Sequence, residues 1–235
     1  MKVAIMNFTG TVGKTTIATH LLSPRMNGAQ IIAVESINET AESIGIAVEK
    51  IKGEKFRELF KRLMVEDDVI IDIGASNIQD FLEGMHKFDE SHVEFDYFLI
   101  PVTNGTKEQR ETTSMIGTLA GLGVPKEKVR VIFNRVESSV DDEFQILLNY
   151  VSKNNNAIIN TKAAIFENEL FDVLAIKKLS IEKLLSDPKN YKALLHDNRD
   201  ADDKKRSHWS EMFGLKALAK SVNRNLDACY VELFS

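Results

Sequence analysis

The chain is poor in the residues that would mark it as a secreted, metal-clustering or membrane-spanning protein. Its 235 residues contain one cysteine, Cys229. A single thiol excludes an internal disulfide, a cysteine-based zinc site and a cysteine-ligated cluster within one chain, and it suits a reducing compartment. The five histidines, at 20, 86, 92, 196 and 208, show no metal-ligand spacing. No stretch approaches the roughly 18 apolar residues of a spanning helix. The apolar run at the amino end lasts only about four residues before Asn7, too short for a secretory signal, so a cytoplasmic location is expected. Net charge is −5, which does not advertise nucleic acid at the level of the whole molecule.

What is present is a hydrophobic content of 43%, enough for a sizeable core. It falls in short apolar runs separated by helix-like stretches. Strands are expected at Lys2–Asn7, Gln30–Glu35, Asp68–Gly74, Phe95–Val102, Val129–Asn134 and Ala157–Ile159. Between them, helices are expected at Lys14–Leu22, Thr40–Ala47, Lys55–Met64, Asn77–Lys87, Lys107–Leu119 and Asp141–Ser152. Continuous apolar strands alternating with helices imply an α/β fold, a mainly parallel sheet covered by helices on both faces. Right-handed crossovers then bring Glu35, Asp72 and Asn134 to the same sheet edge as the turn after the first strand.

That turn carries the chemistry. Gly10-Thr11-Val12-Gly13-Lys14-Thr15-Thr16 follows a strand and opens a helix. Glycines there let successive N–H groups face an anion, the helix start adds partial positive charge, and a lysine closes the cradle. Such a loop holds the phosphates of a nucleotide, with Lys14 on the β- and γ-phosphate oxygens and the Thr15 hydroxyl on Mg²⁺. The strict phosphate-loop pattern would place glycine where Phe8 stands. A second stretch, Asp68 to Gly74, delivers Asp72 and a glycine from a short apolar strand. An acid so placed orients Mg²⁺, usually through a water.

The run Asn7 to Thr16 resembles the deviant phosphate loop of the ParA/MinD-type ATPases, usually Lys-Gly-Gly-Val-Gly-Lys-Thr-Thr. Resemblance continues through Ile31–Glu35, Ile70–Gly74, Phe95–Pro101 and Val131–Asn134, and with Pro24-Arg25 it is closest to the StbB-type plasmid stability proteins. It implies a phosphate-loop ATPase core over residues 1–175 with a helical C-terminal extension, 176–235, packed on it as part of one domain. It further implies ATP and Mg²⁺ as cofactors and a nucleotide-dependent homodimer. The function implied is a switch in plasmid stability, segregation, positioning or conjugation, reaching plasmid DNA directly or through a DNA-binding partner. Carried over to this sequence, Gly10, Thr11, Val12, Gly13, Lys14, Thr15 and Thr16 wrap the phosphates and Asp72 holds the magnesium shell. Asn134 meets the adenine edge, and Glu35 is the first acid of the strand-end switch. Two departures stand out. Thr9 replaces the signature lysine that in relatives crosses to the partner's phosphates, and Ile37 falls where the second switch acid belongs. Without these groups hydrolysis is expected to be slow or partner-dependent.

Two alternatives use the same loop, a non-hydrolysing nucleotide-bound adaptor in a DNA-transfer complex and a dethiobiotin synthetase-like ligase. The last 60 or so residues differ in character. From Ile176 lysines and arginines outnumber acids, which reads as a solvated helical face with a flexible loop from Asp197 to Ser207, or as a DNA-phosphate contact. Met212–Phe234 reads as an amphipathic helix that docks on its own sheet. A membrane contact by this helix is the minor reading.

Overall fold

The structure, a computed structural model, describes residues 1–34, 48–52 and 55–235. Glu35, Ile37 and the expected helix Thr40–Ala47 lie outside the described residues. Among the described residues seven strands form one sheet: β1 (Lys2–Ile5), β2 (Gln30–Val34), β3 (Val48–Ile51), β4 (Val69–Ile73), β5 (Tyr97–Val102), β6 (Val129–Val136) and β7 (Ala164–Phe166). Their order is β3-β2-β4-β1-β5-β6-β7, and every pairing is parallel. Val3, Ala4 and Ile5 of β1 and Val69 to Ile73 of β4 are all buried, because helices cover both faces of a parallel sheet.

Two cores flank the sheet. One gathers Phe56, Phe81, Phe95, Phe98, Phe133 and Phe144 under the helices Phe56–Val65, Ile78–Lys87, Thr106–Gly121 and Gln145–Asn154. Its tightest approach is at Gly84, where an added Cβ would lie 2.3–2.6 Å from side-chain atoms of Phe56. Gly84→Ala is therefore expected to destabilise the protein by about 2 kcal/mol in urea unfolding. Gly84→Ala should cost less in a Phe56→Ala background, where Cγ and Cδ2 are gone, whereas two independent losses that simply add would contradict this packing.

The other core joins the first helix to the C-terminal part of the chain. That first helix runs through Lys14–Thr16, a π-helical stretch Ile17–Leu22, and Ser23–Arg25. Against it and the sheet lie Leu170–Lys177, Ile181–Ser186, Tyr191–Asp197 and a long helix, Asp203–Phe234. Leu215, Ala219, Val222, Leu226, Cys229 and Leu233 of the long helix are buried on this face. Its apolar stripe is thus spent on the chain's own sheet, and among the described residues no helix is long and apolar enough to cross a membrane. Arg25 fastens the junction. Its guanidinium donates to the carbonyls of His20 and Leu21, to Asn223, and to Asp227 at 2.7 Å.

The structure corrects several sequence expectations. Ala157–Ile159 is not the sixth strand; Ile158 contributes one bridge to Arg130, and the edge strand is Ala164–Phe166. Asn225 of the long helix covers that edge, donating to the Ala164 carbonyl and accepting from the Phe166 N–H. The short strand β3 was not anticipated. The expected helix Asp141–Ser152 is broken at Phe144 into Val140–Glu143 and Gln145–Asn154. The expected loop Asp197–Ser207 is confined to residues 198–202, and the chain is helical from Asp203, because Asp202 caps the long helix by accepting from the Lys205 N–H.

Candidate functional site

The sheet's central strand ends at the phosphate-loop sequence, and hydrogen bonds fix where that loop goes. Met6 donates its N–H to the Leu99 carbonyl at 3.1 Å, the last ladder bond before the chain leaves the sheet. Asn7, fully buried, donates its amide to the Pro101 carbonyl at 2.8 Å and to the Thr112 hydroxyl at 2.7 Å, while its oxygen accepts from the Thr9 N–H. The Thr9 hydroxyl donates to the Glu111 carboxylate. Both sides of Phe8 are thereby tied to the helix Thr106–Gly121.

The loop closes at Gly13, whose φ of +83° lies in the left-handed region. Glycine is required there twice over, since a Cβ would also come within 2.4 Å of the Asn134 amide nitrogen. Asn134 donates that nitrogen to the Val12 carbonyl at 3.0 Å, so the end of β6 braces the loop from the far side. The next residue, Arg135, is itself left-handed at φ +56° where the β6–β7 register shifts. From Gly13 the helix begins, with the Ile17 N–H on the Gly13 carbonyl. The N–H groups of its first turn have no partner within the helix.

Inside sits Lys14, 5% exposed, its ammonium donating to the Thr9 carbonyl at 2.7 Å and the Asn7 carbonyl at 3.3 Å. Thr15 donates its hydroxyl to the Asp72 carboxylate at 2.6 Å. Asp72 is 3% exposed and stands on β4 between Ile5 of β1 and Ala33 of β2. Burial pushes the Asp72 carboxyl above its ordinary pKa, opposed by the Thr15 hydrogen bond and the Lys14 charge. Burial likewise lowers the Lys14 pKa, opposed by the charge on Asp72. Each charge is thus costly alone and supported by the other. Among the described residues Lys14 makes no salt bridge, and its direct hydrogen-bond partners are carbonyls, which a phosphate would replace.

Of the residues read from the sequence, the structure brings together Gly10 to Thr16, Asp72 and Asn134, while Glu35 lies outside the described residues. Beside Gly13 and Thr16 opens a cavity of about 100 Å³ bounded by Asn134, Arg135, Phe166 and Asp172. Sequence reasoning missed Asn7, Glu111, Thr112 and Arg135. Asn7 had a signal, because a polar side chain ending a buried strand must find partners.

These residues fit a magnesium nucleotide. Thr15 and Asp72 supply the hard oxygen donors that Mg²⁺ prefers. Lys14 supplies the cation, and the glycine-shaped loop supplies the amides.

His20, on the same first helix, is buried beside Phe171 and its pKa is lowered to about 4 from 6.5 because burial disfavours the charged ring. The folded state holds it neutral, so its contribution to stability is complete above pH 6.5 and is lost as pH falls toward 4. Between neutral pH and pH 5 this amounts to about 2 kcal/mol. In urea titrations at the two pH values His20→Gln should lack that increment, and an unchanged pH slope in the variant would contradict it.

No family model and no curated protein matches the sequence. Solved structures do match. The MinD cell division protein of Aquifex aeolicus superposes with a TM-score of 0.55 at 17% identity over 80% of this chain and 91% of that one. A ParA family ATPase from Chlorobium tepidum gives 0.51 at 13% identity over 79% and 92%. The septum site-determining protein MinD from Pyrococcus horikoshii, complexed with Mg-ADP, gives 0.50 at 14% identity over 94% of each chain. The chain has the fold of the ParA/MinD-type phosphate-loop ATPases.

Proposed function

We propose that this chain is an ATP- and magnesium-binding molecular switch of the ParA/MinD type, acting in the stability, segregation or positioning of a plasmid as StbB-type proteins do. One observation carries the reading. Thr15 and Asp72, 57 positions apart, meet at 2.6 Å beside a buried lysine at the mouth of a phosphate loop. Lys14 binds phosphate oxygens and is already held by the loop carbonyls at the required depth. Thr15 and Asp72 hold the metal's coordination shell, and Gly10 to Thr16 direct amides at the phosphates. Asn134 braces the loop and offers its remaining amide capacity toward the base. Bound Mg²⁺ supplies charge neutralisation at the phosphates. Glu35 would serve as the first acid of the strand-end switch.

Thr9 argues for slow turnover. Where relatives have a lysine free to reach across a dimer, this chain has a short side chain tied to Glu111. The same bond favours a second reading, a nucleotide-bound adaptor in a DNA-transfer complex in which occupancy is the signal and hydrolysis is incidental. Light scattering on size-exclusion peaks tests the switch. A dimer in a non-hydrolysable ATP analogue, a monomer in ADP and a monomer in both for Lys14→Ala are expected, while monomers throughout would contradict it. Clear steady-state phosphate release by the isolated protein would exclude the adaptor.

A further inference from the structure

A second cavity, of about 290 Å³, lies away from the phosphate loop between the first helix and the helix Ile181–Ser186. Its lining includes His20, 4% exposed, whose ring nitrogens have no hydrogen-bond partner among the described residues. A buried imidazole without partners, lining an open volume, marks a place where a ligand's polar group would be satisfied.

The polar atoms around it are mostly acceptors. Thr19 spends its hydroxyl hydrogen on the carbonyls of Thr15 and Thr16, leaving its oxygen to accept. Ser186 likewise spends its hydrogen on the Lys183 carbonyl. Ser180, which accepts from the Lys183 N–H, keeps one hydrogen to donate. Asn223 is committed on both sides, accepting from Arg25 and donating to Asp227. Arg25 in turn is neutralised by Asp227. That leaves Glu182 as the one charged side chain in the lining, with no ion-pair partner among the described residues. Ile181, Leu185 and Pro24 form the apolar wall.

Acceptors in excess, one uncompensated carboxylate and an apolar wall select a ligand that donates hydrogen bonds, carries positive charge and has a short hydrocarbon body. We propose that this cavity binds a small aliphatic amine, its ammonium on Glu182 and its methylenes against Ile181, Leu185 and Pro24. A phosphate or carboxylate ligand would meet Glu182 with no cation to offset it. Because burial keeps His20 neutral at pH 7, the ring adds no repulsion toward an ammonium and serves as acceptor or donor by tautomer.

Calorimetric titration at pH 7 of the full chain with 1,4-diaminobutane, n-butylamine and butyrate tests the proposal. Saturable binding of an amine below about 1 mM is expected, with no heat from butyrate. Glu182→Gln, at an exposed position, should weaken the amine about three- to fivefold. Lys14→Ala should leave it unchanged, which separates this cavity from the phosphate loop. Equal affinity in Glu182→Gln, loss in Lys14→Ala, equal binding of butyrate, or no binding of either amine up to roughly 10 mM would overturn it.

Discussion

Lys14→Ala is expected to lower the affinity for magnesium-ATP by at least about a hundredfold. The reason is the depth of the ammonium. A surface lysine would contribute little through a screened contact, but Lys14 is 5% exposed and its ammonium donates only to carbonyls. Its Coulombic attraction for phosphate oxygens would act in a medium far less screened than water. The substitution also leaves Asp72 without its supporting charge, so the carboxyl, already raised by burial, moves further toward its neutral form and becomes a poorer magnesium ligand. Magnesium dependence of whatever binding remains should therefore weaken together with affinity. Titration with a fluorescent ATP analogue, with and without magnesium, reads both effects. Affinity within a fewfold of wild type would mean that the cradle around Lys14 is not where phosphates bind.

Gly13→Ala is expected to cost about 3–4 kcal/mol of folding stability and to abolish nucleotide binding. Two separate penalties add. A non-glycine residue at φ +83° bears the left-handed strain, and its Cβ displaces Asn134 from the Val12 carbonyl, leaving buried polar groups without partners. Only the second penalty depends on Asn134. In a double-mutant cycle with Asn134→Ala, the cost of Gly13→Ala should fall by about 1–2 kcal/mol, a coupling that chemical denaturation resolves. Strict additivity would show that β6 does not brace the loop. The two substitutions thus probe different parts of one structure, Lys14 its charge and Gly13 its shape.

The parts of the molecule legible in the sequence were those whose signal is contiguous. The phosphate loop and the Val69–Ile73 strand announce themselves because fully buried parallel strands are unbroken apolar runs, and because Gly-Lys-Thr carries its chemistry in adjacent residues. Val48-Glu49-Lys50-Ile51 was illegible for the opposite reason, since an edge strand pairs on one side only and tolerates charge in its middle. Ala157-Ile158-Ile159 and Ala163-Ala164-Ile165-Phe166 are both unbroken apolar runs, and the edge went to Ala164–Phe166, where Asn225 from a distant helix completes the hydrogen bonding. Lys204-Lys205-Arg206 read as loop because composition outweighed the cap that Asp202 provides.

At the site, the same distinction holds. Lys14, Thr15 and Asp72 could be named from local pattern, and their meeting follows from strand order alone. Asn7, Glu111 and Thr112 could not, because their roles exist only after β1, β5 and the helix Thr106–Gly121 are assembled. Thr9 shows both sides of this. Its departure from the family loop was visible in sequence, while its bond to Glu111, which turns a missing cation into a fixed contact, was visible only in three dimensions.

The central claim is that the Lys14, Thr15 and Asp72 cluster binds a nucleotide through its phosphates and magnesium. Calorimetric titration of the wild-type chain with ATP, in magnesium and then in excess chelator, tests it most directly. The account predicts one site per chain, tighter with magnesium by at least about tenfold, with the magnesium increment lost in Asp72→Asn. No binding in either condition, or binding indifferent to both magnesium and Asp72, would contradict it.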